Sequence, residues 1–190
     1  MELDAEPQVE GQLVKDQTLV SKKDMQHSLE LKGYGEVSKN NFLLKPFESL
    51  YLLYLDKLKL KKGKKLIDFD TMMQNCIQFD SNILTKFLIY RDLRTRGYIV
   101  KDGFGFGSDF RVYERGHFGE KGAKFLVFGL NEGNQEKIGK FQKKIQEITQ
   151  MGKEPIIAVI ERRGEVIYYK ISTINFLENK QRSNLTKLNL

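Results

Sequence analysis

The sequence predicts an α+β fold divided between two small domains, and three observations predict it. The chain has 190 residues, 40% of them hydrophobic, with 13 Phe and 8 Tyr, enough apolar mass for a packed core and a length that suits two modest domains. Apolar spacing alternates between helical and strand-like runs up to about residue 84. After Tyr98 the period settles at two for several successive segments. We therefore expect an N-terminal domain of helices with a small antiparallel sheet over 1–84, a C-terminal β-sheet domain flanked by helices over 85–176, and a basic tail over 177–190.

Each element has a local reason. GQLVKDQTLVSKKD reads as a short hairpin in which Leu13 and Val14 answer Leu19 and Val20. Ser21, with Asp24 three residues on, is placed to cap a helix, and Gly33 to end it. Pro46 suits a first helical turn, and Phe47, Leu50, Tyr51 and Tyr54 follow at helical spacing. KLKLKKGKKLID is a basic hairpin about Gly63. Phe69, Met72, Met73 and Cys76 share a helical face, which makes Cys76 a buried structural thiol.

A helix from about Ile83 to Arg96 ends at Gly97, with Arg91, Arg94 and Arg96 in its last turns, where cations complement the dipole. YIVKDGF, DFRVY and AKFLVFGL then read as strands. NQEKIGKFQKKIQEITQMGK is an amphipathic helix with Ile138, Phe141, Ile145 and Ile148 inward and Gly152 as terminator. PIIAVIERRGEVIYYKIS closes as a hairpin turning at ERRGE.

Composition excludes several classes. No apolar run approaches the roughly 20 residues of a membrane helix, and the acidic start MELDAEPQVEGQ is unlike a secretory signal. A single cysteine excludes an internal disulfide framework and fits a cytoplasmic protein. Two histidines, His27 and His117, with one cysteine cannot form a zinc set, and a metal-dependent nuclease needs convergent acids, for which Asp109 is the only candidate amid the strand residues, so neither a metal nor a cofactor is expected. The formal charge of +7 favours a polyanionic partner.

GFGFGSDF offers Gly103, Gly105 and Gly107 but matches neither phosphate-loop pattern. Those glycines instead suit a tight turn or a close approach of backbone to phosphate. What remains is acid–base cleavage of RNA, whose own 2'-hydroxyl is the nucleophile. The protein must supply a base, an acid for the departing 5'-oxygen, and a cation beside the phosphate. Tyr113, His117 and Lys153 are the residue types available near strand ends and loops.

The stretch YRDLRTRGYIVKDGFGFGSDFRVYERG, residues 90–116, resembles the archaeal tRNA-intron (tRNA-splicing) endonuclease family. LLKPFESLYLLYLDKLKL resembles that family's N-terminal segment, and KEPIIAVIERRGEVIYYKIS its last strand and hairpin. The resemblance implies a mixed C-terminal sheet and an oligomeric enzyme, either a homodimer or a heterotetramer with a paralogous subunit. Its implied substrate is precursor tRNA, cut without metal at the intron ends of a bulge-helix-bulge to leave a 2',3'-cyclic phosphate and a 5'-hydroxyl. It places the family's tyrosine base at Tyr113 and its lysine cation at Lys153.

The family's histidine aligns with Gly122, and His117 lies five residues earlier in the same loop. Two roles stay open on this ground: a catalytic subunit using His117, or a non-catalytic structural subunit whose turn, with Glu161 and Glu165, docks into a partner. Lys101 and Arg111 are expected either as phosphate contacts or as plain strand charges. Phe104 and Phe106 either stack on a bulge base or bury in the sheet.

Overall fold

A computed structural model describes residues 8–103, 105, 107–131 and 138–172. The N-terminal half holds strands β1 (Val9–Val14), β2 (Gln17–Val20), β3 (Glu36–Ser38), β4 (Asn41–Leu44), β5 (Leu58–Lys62) and β6 (Lys65–Ile67). Three helices accompany them: α1 (Lys23–Leu31), α2 (Pro46–Tyr54) and α3 (Phe69–Ile77). The six strands form one sheet in the order β3-β4-β2-β1-β5-β6. All its pairings are antiparallel except β1 with β5, which is parallel with Val9 opposite Leu58. This sheet exceeds the small antiparallel one expected, because β3 is three exposed residues and β4 only four, too short to show a period. Its turn residues Lys39 and Asn40 both take positive φ, 48° and 64°, the left-handed geometry a two-residue hairpin turn requires.

Ser21 does not cap α1. The helix starts at Lys23 with Lys22 in the cap position and no side-chain cap, and Asp24 in the first turn faces the positive end of the dipole instead. Gly33 does close the helix, at φ 73°. Asp68 caps α3 by accepting a 2.9 Å hydrogen bond from the Thr71 backbone N–H. Burial of Met72, Met73 and Cys76 on α3 follows the expected face, and burial pushes the Cys76 thiol up to about 12.

The C-terminal half comprises α4 (Ile83–Thr95), β7 (Ile99–Asp102), β8 (Phe110–Tyr113), β9 (Phe125–Asn131), α5 (Ile138–Gln150), β10 (Glu154–Ile160) and β11 (Val166–Lys170). Its sheet runs β11-β10-β9-β8-β7, and is mixed because α5 carries the chain from β9 to a parallel β10. One face carries Phe110, Val112, Val127 and Ala158 into the main core against α4. The other face sets Leu126 and Phe128 with Ile148 of α5. Of the expected inward positions of α5, Ile145 and Ile148 are buried, whereas the side chains of Ile138 and Phe141 lie outside the described residues. So do Phe104, Phe106 and the tail 177–190.

The two halves share a single apolar core. Residues 47–52 of α2 are all buried between the first sheet and α4. Phe47 meets Tyr90 at 4.9 Å between ring centroids and Phe110 edge-on at 5.1 Å, and Tyr51 meets Tyr90 at 5.6 Å. Aromatic pairs of this geometry add about 0.5–1.5 kcal/mol each beyond the area they bury. The seam also carries a buried charge. Glu48 accepts hydrogen bonds from the backbone N–H groups of Lys45 (2.8 Å) and Gly35 (3.1 Å), and Lys101 of β7 brings its ammonium to 3.9 Å. Burial pushes the Glu48 carboxyl up to about 7, against the pull of Lys101 and the two backbone donors.

Candidate active site

The site residues are placed by sheet register. Val112 of β8 pairs with Phe125 of β9, and Phe125 pairs on its other side with Glu154 of β10. Tyr113 follows this row at the end of β8, and Lys153 precedes it at the start of β10. Both therefore leave the sheet at the same end, two strand spacings or about 10 Å apart along the backbone. Alternation along each strand turns both side chains away from the Val112 face, toward the side that α5 covers. Tyr113 and Lys153 thus share one end and one face of the sheet.

The loop 114–124 joins the two positions. Its base is fixed by the Lys124 backbone N–H donating 3.0 Å to the Val112 carbonyl, and the Glu154 N–H donating 2.9 Å to the Lys124 carbonyl. A hydrogen-bonded ion pair between Lys124 and Glu114 clasps the strand ends together, and it draws the Glu114 carboxyl below its ordinary range. Near its middle the loop lays Phe118 edge-on against the Tyr113 ring, 5.0 Å between centroids. Near its end, the Lys153 Nζ donates 2.6 Å to the Ala123 carbonyl.

His117 sits one residue before Phe118, in a turn whose carbonyl accepts from the N–H groups of Glu120 and Lys121. Its Nδ1 is buried without a hydrogen-bond partner among the described residues, and Glu120 Oε2 lies 3.8 Å away, beyond hydrogen-bond reach. Gly122 stands beside the ammonium. A Cβ built there would lie 3.9 Å from Lys153 Nζ, with no other atom within 4 Å. Gly122, the position at which the resemblance leads one to expect the family's imidazole, therefore adjoins the lysine. An open cleft of about 580 Å³ flanks Lys153, lined by Gln146, Thr149 and Gln150 of α5 together with Glu154 and Lys170.

Other predicted residues lie elsewhere. Lys101 points inward, donating to the Gly35 carbonyl beside Glu48, so its ammonium serves the seam between the halves instead of facing a phosphate. Burial lowers its pKa. Arg111 is half-buried and donates through Nε to the Asp102 carbonyl at 2.9 Å. Asp109 accepts from the Gly129 N–H at 2.7 Å, a structural bond across the sheet. Among the described residues no cluster of His, Cys, Asp and Glu could hold a metal ion, and no helix is long and apolar enough to cross a membrane.

Glu161 and Glu165 are exposed at the β10–β11 turn, where the Glu161 N–H donates to the Glu165 carbonyl at 3.0 Å. At Gly103 the close approach is to backbone: a Cβ there would fall 1.8 Å from the Ser108 carbonyl oxygen, so that position admits no side chain. Sequence reasoning missed the Glu114–Lys124 clasp and the Phe118 contact. The only available signal was opposite charge at the two ends of one loop.

Comparison with known proteins agrees with this architecture half by half. Residues 9–73 match the family model for the tRNA intron endonuclease N-terminal domain, and residues 83–168 match that for the tRNA intron endonuclease catalytic C-terminal domain. A tRNA-splicing endonuclease of Methanococcus maripaludis is 32% identical over 164 residues, covering 86% of this chain and 93% of the relative. Proteins of the same name from Thermococcus onnurineus (32% identity, 75% of this chain and 82% of the relative) and Pyrococcus furiosus (30%, 76% and 84%) are also similar. The class defined by the fold and these matches is that of RNA-cleaving endonucleases built of an N-terminal and a catalytic C-terminal domain. The chain belongs to the tRNA intron endonuclease family.

Proposed function

We propose that this chain is a subunit of an oligomeric tRNA-splicing endonuclease that cuts precursor tRNA at intron boundaries within a bulge-helix-bulge. The reaction needs no metal: the 2'-hydroxyl attacks the adjacent phosphate, giving a 2',3'-cyclic phosphate and a 5'-hydroxyl. In this reading Tyr113 takes the 2'-hydroxyl proton, Lys153 stabilises the charge that builds on the phosphate, and His117 protonates the departing oxygen. The observation that carries it is the common end and face of Tyr113 and Lys153, bridged by one loop.

The test is cleavage of bulge-helix-bulge RNA in EDTA by the chain alone or with a paralogous partner. Tyr113→Phe and His117→Ala should each slow the single-turnover rate by roughly 10²-fold or more. Unchanged cleavage in His117→Ala removes that histidine from the mechanism. A second reading has its own observation: Gly122 puts no imidazole beside Lys153, and the Glu161–Glu165 turn is exposed for docking. There the chain is a structural subunit that positions a catalytic paralogue, and Tyr113→Phe or Lys153→Ala in this chain leaves cleavage by the complex intact.

A further inference from the structure

The most strongly charged feature of the molecule lies away from Tyr113 and Lys153. Residues 57–67, KLKLKKGKKLI, contain six lysines and no acid, against a formal charge of +7 for the whole chain. The β5–β6 hairpin formed by this segment buries Leu58, Leu60 and Ile67 and leaves the lysine heads outside. The side chains of Lys59, Lys61, Lys62, Lys64 and Lys65 make no hydrogen bond or salt bridge among the described residues, and Lys65 acts on Asp68 only as a lesser charge. Glu10, the acid closest by register to Lys59, is already paired with Lys22 at 2.9 Å, and Lys61 and Lys59 act on it only as lesser, more distant charges.

The register opposes the fold's own interest. Lys62 pairs directly with Lys65 across the hairpin, an arrangement in which like charges repel. Exposed Leu66 stands opposite Lys61. A cluster of lysines with so little acid beside it gains when a polyanion covers it and its counterions are released.

Position narrows the partner. β5 and β6 form one edge of the first sheet, and β3 forms the other, five strand spacings or about 24 Å away. The β3 edge is the one that meets β7, through Lys101 on Gly35 and through Lys45 bridging Glu36 and Asp102. The hairpin thus lies at the sheet edge opposite the one that meets β7, so a ligand touching both the hairpin and the C-terminal half spans on the order of 24 Å, which a folded RNA does and a nucleotide does not.

We propose that the β5–β6 lysine hairpin is a second RNA-docking surface, gripping the phosphate backbone of the substrate's body without reading its sequence. This rests on the RNA-cleaving reading above and adds a separate contact to it. The test compares the wild-type chain with a variant carrying Lys61→Gln, Lys62→Gln, Lys64→Gln and Lys65→Gln. Binding to a bulge-helix-bulge RNA and to an unrelated RNA duplex is measured from 50 to 200 mM salt.

Each phosphate contact contributes about 0.9 to the slope of log affinity against log salt on a duplex. The variant should therefore lose about 3 of slope and at least ~10-fold in affinity at low salt, on both RNAs alike. Its melting temperature should hold or rise, since repulsion is relieved, and its single-turnover cleavage rate at saturating RNA should be unchanged. Equal slopes for variant and wild type overturn this inference alone, and leave the lysines as protection of an exposed sheet edge. Equal slopes with loss of binding to anionic vesicles would make the partner a lipid surface, also against it. A wild type that binds no RNA at any salt overturns it together with the reading it rests on.

Discussion

At the scale of single residues, Gly122 is the most informative position. Its φ lies outside the left-handed region and a Cβ there meets nothing but the Lys153 ammonium at 3.9 Å, so a histidine can be built without backbone strain. Gly122→His thus distinguishes the two ways of supplying an acid. If the site lacks one, the variant should raise cleavage by roughly 10-fold or more, within the range a positioned acid provides. If His117 already serves, the rate should stay within about twofold while His117→Ala remains damaging. Rates of the two single variants and the double variant decide between them.

The arginines of the helix ending YRDLRTRG also find their partners at this scale. Arg94 stacks 4.1 Å from the Tyr34 ring centre and donates to the Lys32 carbonyl, Arg96 is paired with Asp92 at 2.7 Å, and Arg91 lies over the Tyr54 and Phe87 rings. Arg94 and Arg91 thus join the halves, whereas Arg96 stays within the C-terminal half, between Asp92 and the Tyr168 ring, beyond the dipole role expected of them.

At the scale of elements, the contact of α2 with β7 makes stability depend on pH. The Glu48 carboxyl titrates near 4.5 in an unfolded chain and about 7 in the fold. A raised carboxyl binds its proton more tightly in the folded state, so its stabilisation is complete below about pH 4.5 and disappears as pH climbs through 7. The whole effect is on the order of 3 kcal/mol. Urea unfolding at pH 5 and pH 8 should show a lower midpoint at pH 8, and Glu48→Gln should flatten that difference. An equally steep decline in the variant would place the titrating group elsewhere. The neighbouring groups named at this seam are Lys101, Lys45, Arg94 and Tyr90, none of which the substitution removes.

At the scale of the whole molecule, the structural-subunit reading is tested at the β10–β11 turn. Glu161 and Glu165 project from the β10–β11 turn, exposed and joined through their backbones. Charge reversal at both, Glu161→Lys with Glu165→Lys, costs the fold little, within about 0.5 kcal/mol for each surface site. Under the structural-subunit reading it should shift the assembly to smaller species by light scattering and reduce cleavage by the complex. An unchanged mass would remove the turn from assembly and leave the catalytic reading of the chain the stronger.

The sequence by itself determined the α+β class, the change of pattern near residue 85, and every element whose apolar spacing or turn chemistry is local. Gly63, Gly97, Gly152 and Pro46 all mark real boundaries. It also determined which residue types are present for the proposed acid–base chemistry, because types are written in the chain. The β3–β4 hairpin and the parallel β1–β5 pairing were decided only by tertiary structure, since strand partners carry no mark in a one-dimensional pattern. The same holds for Lys101, whose ammonium turned to Glu48: whether a strand charge meets solvent or a buried carboxylate depends on what folds against it. The common end of Tyr113 and Lys153, 40 residues apart in the chain, comes from two strand pairings around β9. No spacing of residues encodes that proximity, because hydrogen-bonded register is a relation between distant segments.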